Sequence, residues 1–364
     1  MSDQPQHTFV IAEAGVNHNG SLARALQLVS VAAEAGADAI KFQTFKANRI
    51  AAASAPKAAY QSRNTGYDGG QVAMLKSLEL SDQDHRDLAK ACEDASIEFM
   101  STPFDEYSAT FLVNDIGVRR LKVASGELTN APLLLHLAHT GKPIVLSTGM
   151  ATLDEVKIAL GILAFGYMDC SLLQPSTKDF LAAFENDRGQ NCLKANVTLL
   201  HCTSNYPAAP DTINLRAMDT LYANFGLPVG LSDHSQGIAV PTAAVSRGAA
   251  VIEKHFTLDR KLEGPDHAAS LEPNELRAMI AAVRNVEVAL GSGLKVPTAA
   301  EKNTASVARK SLVALTEIMA DEAFTADNLG VKRPGTGISP LEYWSYLGQP
   351  AARAYGRDEL IEPQ

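Results

Sequence analysis

Only four cysteines occur in the 364 residues (Cys92, Cys170, Cys192 and Cys202), and none is spaced as a CxxC pair or a disulfide framework. A disulfide-stapled fold is thereby excluded, and a reducing, cytoplasmic setting is expected. Cys202 falls in an apolar strand pattern and reads as a small core filler rather than a nucleophile. Cationic excess is missing too. The formal charge of −9 argues against nucleic acid or a membrane surface as partner, and any anionic ligand must be met by a local cluster of Lys and Arg. No apolar run approaches membrane-spanning length. The opening residues, MSDQPQHTF, carry no basic run followed by an apolar stretch, so no signal peptide is expected. No GxGxxG follows the first apolar run, which counts against a dinucleotide-binding fold. Aromatics are sparse at 6%, in a composition otherwise ordinary for a soluble globular protein.

What is present begins with residues 228–256, PVGLSDHSQGIAVPTAAVSRGAAVIEKHF. Two short apolar runs, 228–231 and 250–252, end in Ser232-Asp233-His234 and Glu253-Lys254-His255, and one helix-length segment, 237–247, lies between them. That is a strand–helix–strand unit whose strands run parallel and side by side. His234 and His255 then emerge at the same end of neighbouring strands, close enough to share one metal ion. Two isolated histidines would more often simply complete hydrogen bonds in a core; here the same arrangement recurs along the chain.

Further strands are expected at 8–12, 37–42, 97–100, 120–124, 143–146 and 197–200. Helices are expected at 21–35, 81–95, 132–139, 153–165 and 273–290, with another following Asp105 through Val113. Eight strands alternating with helices predict a (β/α)8 TIM barrel over residues 1–290 rather than an open doubly wound sheet. Catalytic groups in such a barrel sit at the C-terminal ends of the strands, and all eight strands here end in polar residues able to do chemistry. A long polar connection, 45–80, reads as a flap over the site. Residues 166–196 read as an irregular surface insertion with no assigned role. Residues 291–304 read as a polar linker, and 305–364 as a small, mostly β domain, marginal by itself.

Two imidazoles suit a divalent transition metal and leave positions for water and substrate; with no third carboxylate or thiolate evident, the site suits Mn²⁺ or Mg²⁺ acting as a Lewis acid on a carbonyl. Lys41 and Lys122 lie within strands, where an unpartnered lysine is costly to bury; an anion between them would accommodate both. They could instead reach past the rim to solvent, or one could form a Schiff base. Ser125, Ser147, Ser232 and the glycines that follow furnish a phosphate pocket. Glu13 is a candidate general base or hydroxyl acceptor, and Tyr206 and Asp266 could bind a polar substrate. Together they suggest an anionic phosphorylated donor reacting with a carbonyl acceptor.

The motifs IAEAGVNHNG, KFQTF, STPFD, KVASGE, LSTGM, HCTSNYP, GLSDH, EKHFT, GPDHAAS and KRPGTGIS, in this order over nearly the whole chain, resemble the sialic acid synthase family. The resemblance implies a barrel that condenses phosphoenolpyruvate with an N-acetylmannosamine-type sugar to give N-acetylneuraminate and phosphate. It also implies a C-terminal SAF, or antifreeze-like, domain that covers the site of the partner subunit in a domain-swapped homodimer. By motif it places the metal on His234 and His255, and phosphoenolpyruvate on Lys41, Thr102, Lys122, Ser125, Ser147, Ser204 and Ser232. Glu13 becomes the acid/base group; Gln43, Tyr206, Asp266 and, from the other subunit, Arg333 contact the sugar. Ser204 stands where some members have Asn. The alternative within the family is a legionaminic acid synthase using a 2,4-diacetamido-2,4,6-trideoxymannose, which shares GPDHAAS and the flap motif APKAAYQ. An alternative of another class is an ice- or glycan-binding protein with an inactive barrel, against which both histidines and both lysines argue.

Overall fold

The computed structural model describes residues 7–57, 61–62, 70–170 and 174–363. The chain divides into two compact units, Met1–Ser292 and Gly293–Gln364.

Successive side chains of a strand face opposite ways, and this alternation organises the first unit. Its strands are β1 (Phe9–Gly15), β2 (Ala39–Thr44), β3 (Glu98–Pro103), β4 (Leu121–Val123), β5 (Ile144–Ser147), β6 (Val197–Cys202), β7 (Val229–Asp233) and β8 (Val251–His255). They form a parallel sheet in the order β3-β2-β1-β8-β7-β6-β5-β4, and β3 lies beside β4 to complete a (β/α)8 barrel. Outward-facing Val10, Ala12, Ile40, Phe42, Leu146 and Ile252 pack against surrounding helices in the main core. Inward-facing Ile11, Ala39, Met100, Val145, Leu200 and Val251 form a separate apolar plug inside the barrel. Full burial of a large aliphatic side chain of this kind contributes about 1.5–3 kcal/mol, so the plug is a firm floor. Gly230 belongs to that layer: a Cβ there would lie 2.2 Å from the Val251 carbonyl oxygen, so only glycine lets β7 approach β8 so closely.

The first helix follows its sequence signals. Ser21 caps Leu22–Ala35 by accepting from the Arg24 N–H, Gly36 ends it at φ 83°, and Ala25, Leu28, Val29 and Ala32 face inward. Two expectations are corrected. Within the stretch 166–196, expected to be irregular, Thr177–Glu185 and Asp187–Asn196 are helices, burying Phe180, Ala183 and Leu193 beside the helix Leu153–Tyr167. Gly161 allows this contact, since a Cβ there would lie 2.4 Å from the Phe180 carbonyl oxygen. The stretch 291–304 is not wholly linker, because the helix Ala299–Ala308 begins within it, capped by Thr298 and Glu301.

Strand ends differ systematically as well. Read from apolar runs, β1, β2, β3, β6, β7 and β8 stop two or three residues early; in the structure Glu13, Gln43, Thr102, Cys202, Ser232 and His255 lie inside strands. Of the flap, the helices Ala47–Ile50 and Gln71–Leu78 are described, and Met74 and Leu78 pack with Val16 and Phe45. The motif APKAAYQ falls partly outside the described residues. The second unit pairs Ser311–Ala314 (β9) antiparallel with Leu329–Lys332 (β10), adds bridges at Val313–Leu360 and Ile318–Tyr355, and closes around Leu312, Phe324, Tyr355 and Ile361. Among the described residues, no helix is long and apolar enough to cross a membrane.

Candidate active site

Directly above the apolar plug, the inward positions become charged, and strand register decides which charges meet. Glu13 lies opposite Lys41 across β1–β2 and opposite His255 across β1–β8; Ser232 lies opposite Glu253 across β7–β8. Lys41 Nζ is 2.7 Å from Glu13 Oε2 and donates to Thr102 Oγ1 at 3.0 Å. Lys122 Nζ donates to Ser147 Oγ at 2.7 Å and to the Val123 carbonyl at 3.0 Å. Glu253 stands between the lysines, 3.6 Å from each, and accepts from Ser232 Oγ at 2.9 Å. All four charged groups are buried. The lysines therefore do not reach past the rim to solvent.

One step higher sit the histidines. Their ring centroids are 5.4 Å apart, and the Tyr206 ring lies 4.0 Å from that of His234. His234 Nδ1 hydrogen-bonds the Thr203 carbonyl at 2.8 Å, which fixes the proton on Nδ1 and leaves the Nε2 lone pair as the ligand. Burial, then the positive neighbours His234 and Lys41, hold His255 well below the usual imidazole range and hence neutral. Its buried Nδ1 has no hydrogen-bond partner among the described residues. Burial would lower His234 too, but Cys202, the Thr203 carbonyl and Glu253 together raise it above the usual imidazole range. Two adjacent imidazoles, which give up any proton on Nε2 when they ligate, fit a divalent metal. Among the described residues no cluster of three His, Cys, Asp or Glu side chains offers a complete ligand set, so two positions from protein and the rest from substrate and water is the arrangement this donor set allows.

The electrostatics of the floor follow from burial. Burial raises the Glu13 carboxyl; Lys41 opposes and Glu253 adds to the rise, leaving it at about 7. Burial would raise Glu253 too, but Lys122, Lys41 and the Ser232 hydroxyl together hold it below the usual carboxylate range. Burial lowers Lys122 despite Glu253, whereas Glu13 and Glu253 outweigh burial and raise Lys41. Burial also pushes Asp266 up to about 6.

Glu13, Lys41, Gln43, Thr102, Lys122, Ser125, Ser147, Ser204, Tyr206, Ser232, His234, His255 and Asp266 all line one cavity of about 450 Å³. Gly149 packs against two of its serines: its N–H donates to Ser125 Oγ at 3.0 Å, and a Cβ would lie 2.4 Å from Ser204 Oγ. Arg333 belongs to the second unit, where its Nε donates to the Ala308 carbonyl at 3.0 Å. Two lining carboxylates, Glu253 and Glu127, went unassigned from the sequence, as did the apolar flap side chains Ile50, Met74 and Leu75. Glu253 carried a usable signal, since it sits two residues before His255 and so faces the same way. Cys202 lines the cavity as well, its Sγ 3.7 Å from His234 Nδ1.

Behind the first loop, His18 is fully buried, accepts the Gly20 N–H on Nδ1 at 3.0 Å, and is pushed down to about 4 by burial, with His85 and Arg24 adding to the fall. The unfolded chain therefore binds the proton first as pH drops. This contribution is whole above the ordinary value near 6.5 and is lost progressively down to about 4. Urea unfolding of the wild type should lose about 2 kcal/mol more between pH 7 and pH 5 than that of His18→Gln. Parallel pH profiles for the two proteins would contradict it.

Comparison with known proteins bears on this geometry. The model of the NeuB family matches residues 28–295. This chain belongs to the NeuB family. It is 44% identical to the N,N'-diacetyllegionaminic acid synthase of Campylobacter jejuni over 97% of this chain and 98% of that protein. It is 45% identical to the N,N'-diacetyllegionaminic acid synthase of Legionella pneumophila over 93% of this chain and 89% of that one. Among solved structures it is similar to an N-acetylneuraminic acid synthetase from Leptospira borgpetersenii in complex with citrate, with TM-score 0.64 and 33% identity over 82% of this chain and 90% of that chain.

Proposed function

We propose that this member of the NeuB family condenses phosphoenolpyruvate with a 2,4-diacetamido-2,4,6-trideoxymannose, giving N,N'-diacetyllegionaminic acid and inorganic phosphate. The observation that carries the condensation is the placing of two buried lysines, Lys41 and Lys122, below two adjacent imidazoles in one cavity. A dianionic phosphate ester beside the lysines and an open-chain aldehyde beside the imidazoles would put the reacting carbons next to each other. The acceptor rests on similarity. The motifs are shared with synthases of either sugar, but identity is 44–45% to the two synthases named for legionaminic acid and 33% to the structure named for neuraminic acid. An N-acetylmannosamine-type acceptor, giving N-acetylneuraminate, is the second reading, supported by that last likeness.

Lys41 and Thr102, Lys122 and Ser147, with Ser125, Ser204 and Ser232, hold phosphoenolpyruvate. Gln43, Tyr206 and Asp266 orient the sugar. His234 and His255 would hold Mn²⁺ or Mg²⁺, which when bound supplies Lewis-acid polarisation of the aldehyde. The C2=C3 double bond of phosphoenolpyruvate opens as C3 bonds to the aldehyde carbon, whose oxygen takes a proton from solvent, and C2 is left electron-deficient. Water then adds at C2 and gives its proton to Glu13, whose carboxyl at about 7 exchanges protons near neutrality. The tetrahedral intermediate loses inorganic phosphate with C–O cleavage and leaves the 2-keto acid. A homodimer in which Arg333 of one copy contacts the sugar held by the other belongs to the same reading.

Offering the purified chain phosphoenolpyruvate with each sugar separately, and following phosphate release, tests the acceptor. Release should be at least about 10-fold more efficient with the diacetamido sugar, a preference of ~1.4 kcal/mol. The reverse order would install N-acetylmannosamine as acceptor, and no release with either would defeat both readings.

A further inference from the structure

The two histidines lie on different strands, so something must fix their separation, and one buried ion pair reaches both. Asp233 immediately precedes His234 and Lys254 immediately precedes His255. Across β7–β8 they are register partners, so alternation sends both side chains to the face opposite the cavity. There Lys254 Nζ binds Asp233 Oδ2 at 2.6 Å, with both side chains at 0% exposure. Lys254 Nζ donates also to the Ser235 carbonyl. Asp233 closes the turn: its Oδ1 accepts from the Ser235 N–H at 2.9 Å and its Oδ2 from Ser235 Oγ at 3.0 Å. His234 is thus held by a ring running from Asp233 to Ser235, and the same ammonium ties that ring to the backbone carrying His255.

We infer that Lys254, Asp233 and Ser235 form a positioning clamp that sets the spacing of His234 and His255 for the metal. None of the three lines the cavity, so the clamp acts only through the histidines. It rests on the reading of that pair as the metal site. Buried charge alone does not require such a pair, since an apolar pair of similar volume is often as stable. The clamp has a geometric use that an apolar contact lacks: directional hydrogen bonds to both sides of one ligand and to the strand of the other. Supporting groups of this type are typically worth about 10–100-fold in metal affinity.

The test is Mn²⁺ affinity of the full chain, by calorimetry and by the electron paramagnetic resonance signal of free Mn²⁺, with phosphoenolpyruvate affinity and circular dichroism measured alongside. Lys254→Met should weaken Mn²⁺ by about 10–100-fold and change phosphoenolpyruvate binding by less than about 3-fold. Should the single variant not fold, the double variant Asp233→Asn/Lys254→Met, which leaves no lone buried charge, should fold and show the same loss, and Lys254→Arg should recover part of it. Mn²⁺ affinity unchanged in a folded variant overturns the clamp while leaving the metal site standing. Wild-type Mn²⁺ binding that His234→Ala does not diminish overturns the metal site itself, and the clamp with it.

Discussion

His234→Ala is expected to lower turnover by at least about 10³-fold, or ~4 kcal/mol in the barrier, while the barrel stays folded. The imidazole faces the cavity rather than the packed core, so its loss leaves no new void among apolar side chains. The backbone contact from the Ala208 N–H to the His234 carbonyl, at 2.9 Å, survives the substitution. What goes is the side-chain hydrogen bond to the Thr203 carbonyl, worth about 1 kcal/mol, with the weaker contacts to Cys202 Sγ and the Tyr206 ring. Phosphate release with both substrates and urea denaturation, measured on the same preparation, separate the two effects. A variant that kept a tenth of its activity would show that the histidine pair does not hold the aldehyde's activator.

Lys41→Met should act on the other half of the reaction. Its ammonium is 2.7 Å from Glu13 and 3.6 Å from Glu253, so removing it takes away one cation for the phosphate ester and leaves two buried carboxylates facing Lys122 alone. Truncating one member of a buried, hydrogen-bonded charge pair costs about 2–5 kcal/mol in binding, or about 30- to 5,000-fold in affinity. Calorimetry with phosphoenolpyruvate and no sugar reads that loss directly. Folding stability should fall as well, by about 3–5 kcal/mol, because the carboxylates stay buried without their partner. The double variant Lys41→Met/Glu253→Gln removes one charge of each sign; it should regain most of the stability and none of the affinity. If affinity returned with stability, Lys41 would be a counter-ion to Glu253 and not a ligand for the phosphate.

Glu253 also shows where reading along the chain stops short. An apolar run marks a strand only while its residues are apolar, so the expected β8 closed at residue 252 and the carboxylate counted as the start of a loop. In the barrel Glu253 is an interior strand residue, opposite Ser232 and between two lysines carried by β2 and β4. The two lysines are more than a hundred residues away in sequence, so no local pattern could have revealed that a carboxylate at this position is neutralised. The two helices within 166–196 escaped for a related reason. Asp187–Asn196 is mostly polar, and its buried side is confined to Gly189 and Leu193, too narrow a stripe to stand out without the neighbouring helix.

By itself the sequence determined the alternation of eight strands with helices and the residue types able to do chemistry at each strand end, because these depend on local periodicity. Only the tertiary structure decided which of those residues meet. Parallel strands have no short turn to fix their register, so the pairing of Glu13 with Lys41, of Glu253 with both lysines, and of Asp233 with Lys254 is settled by how the closed barrel packs its apolar floor.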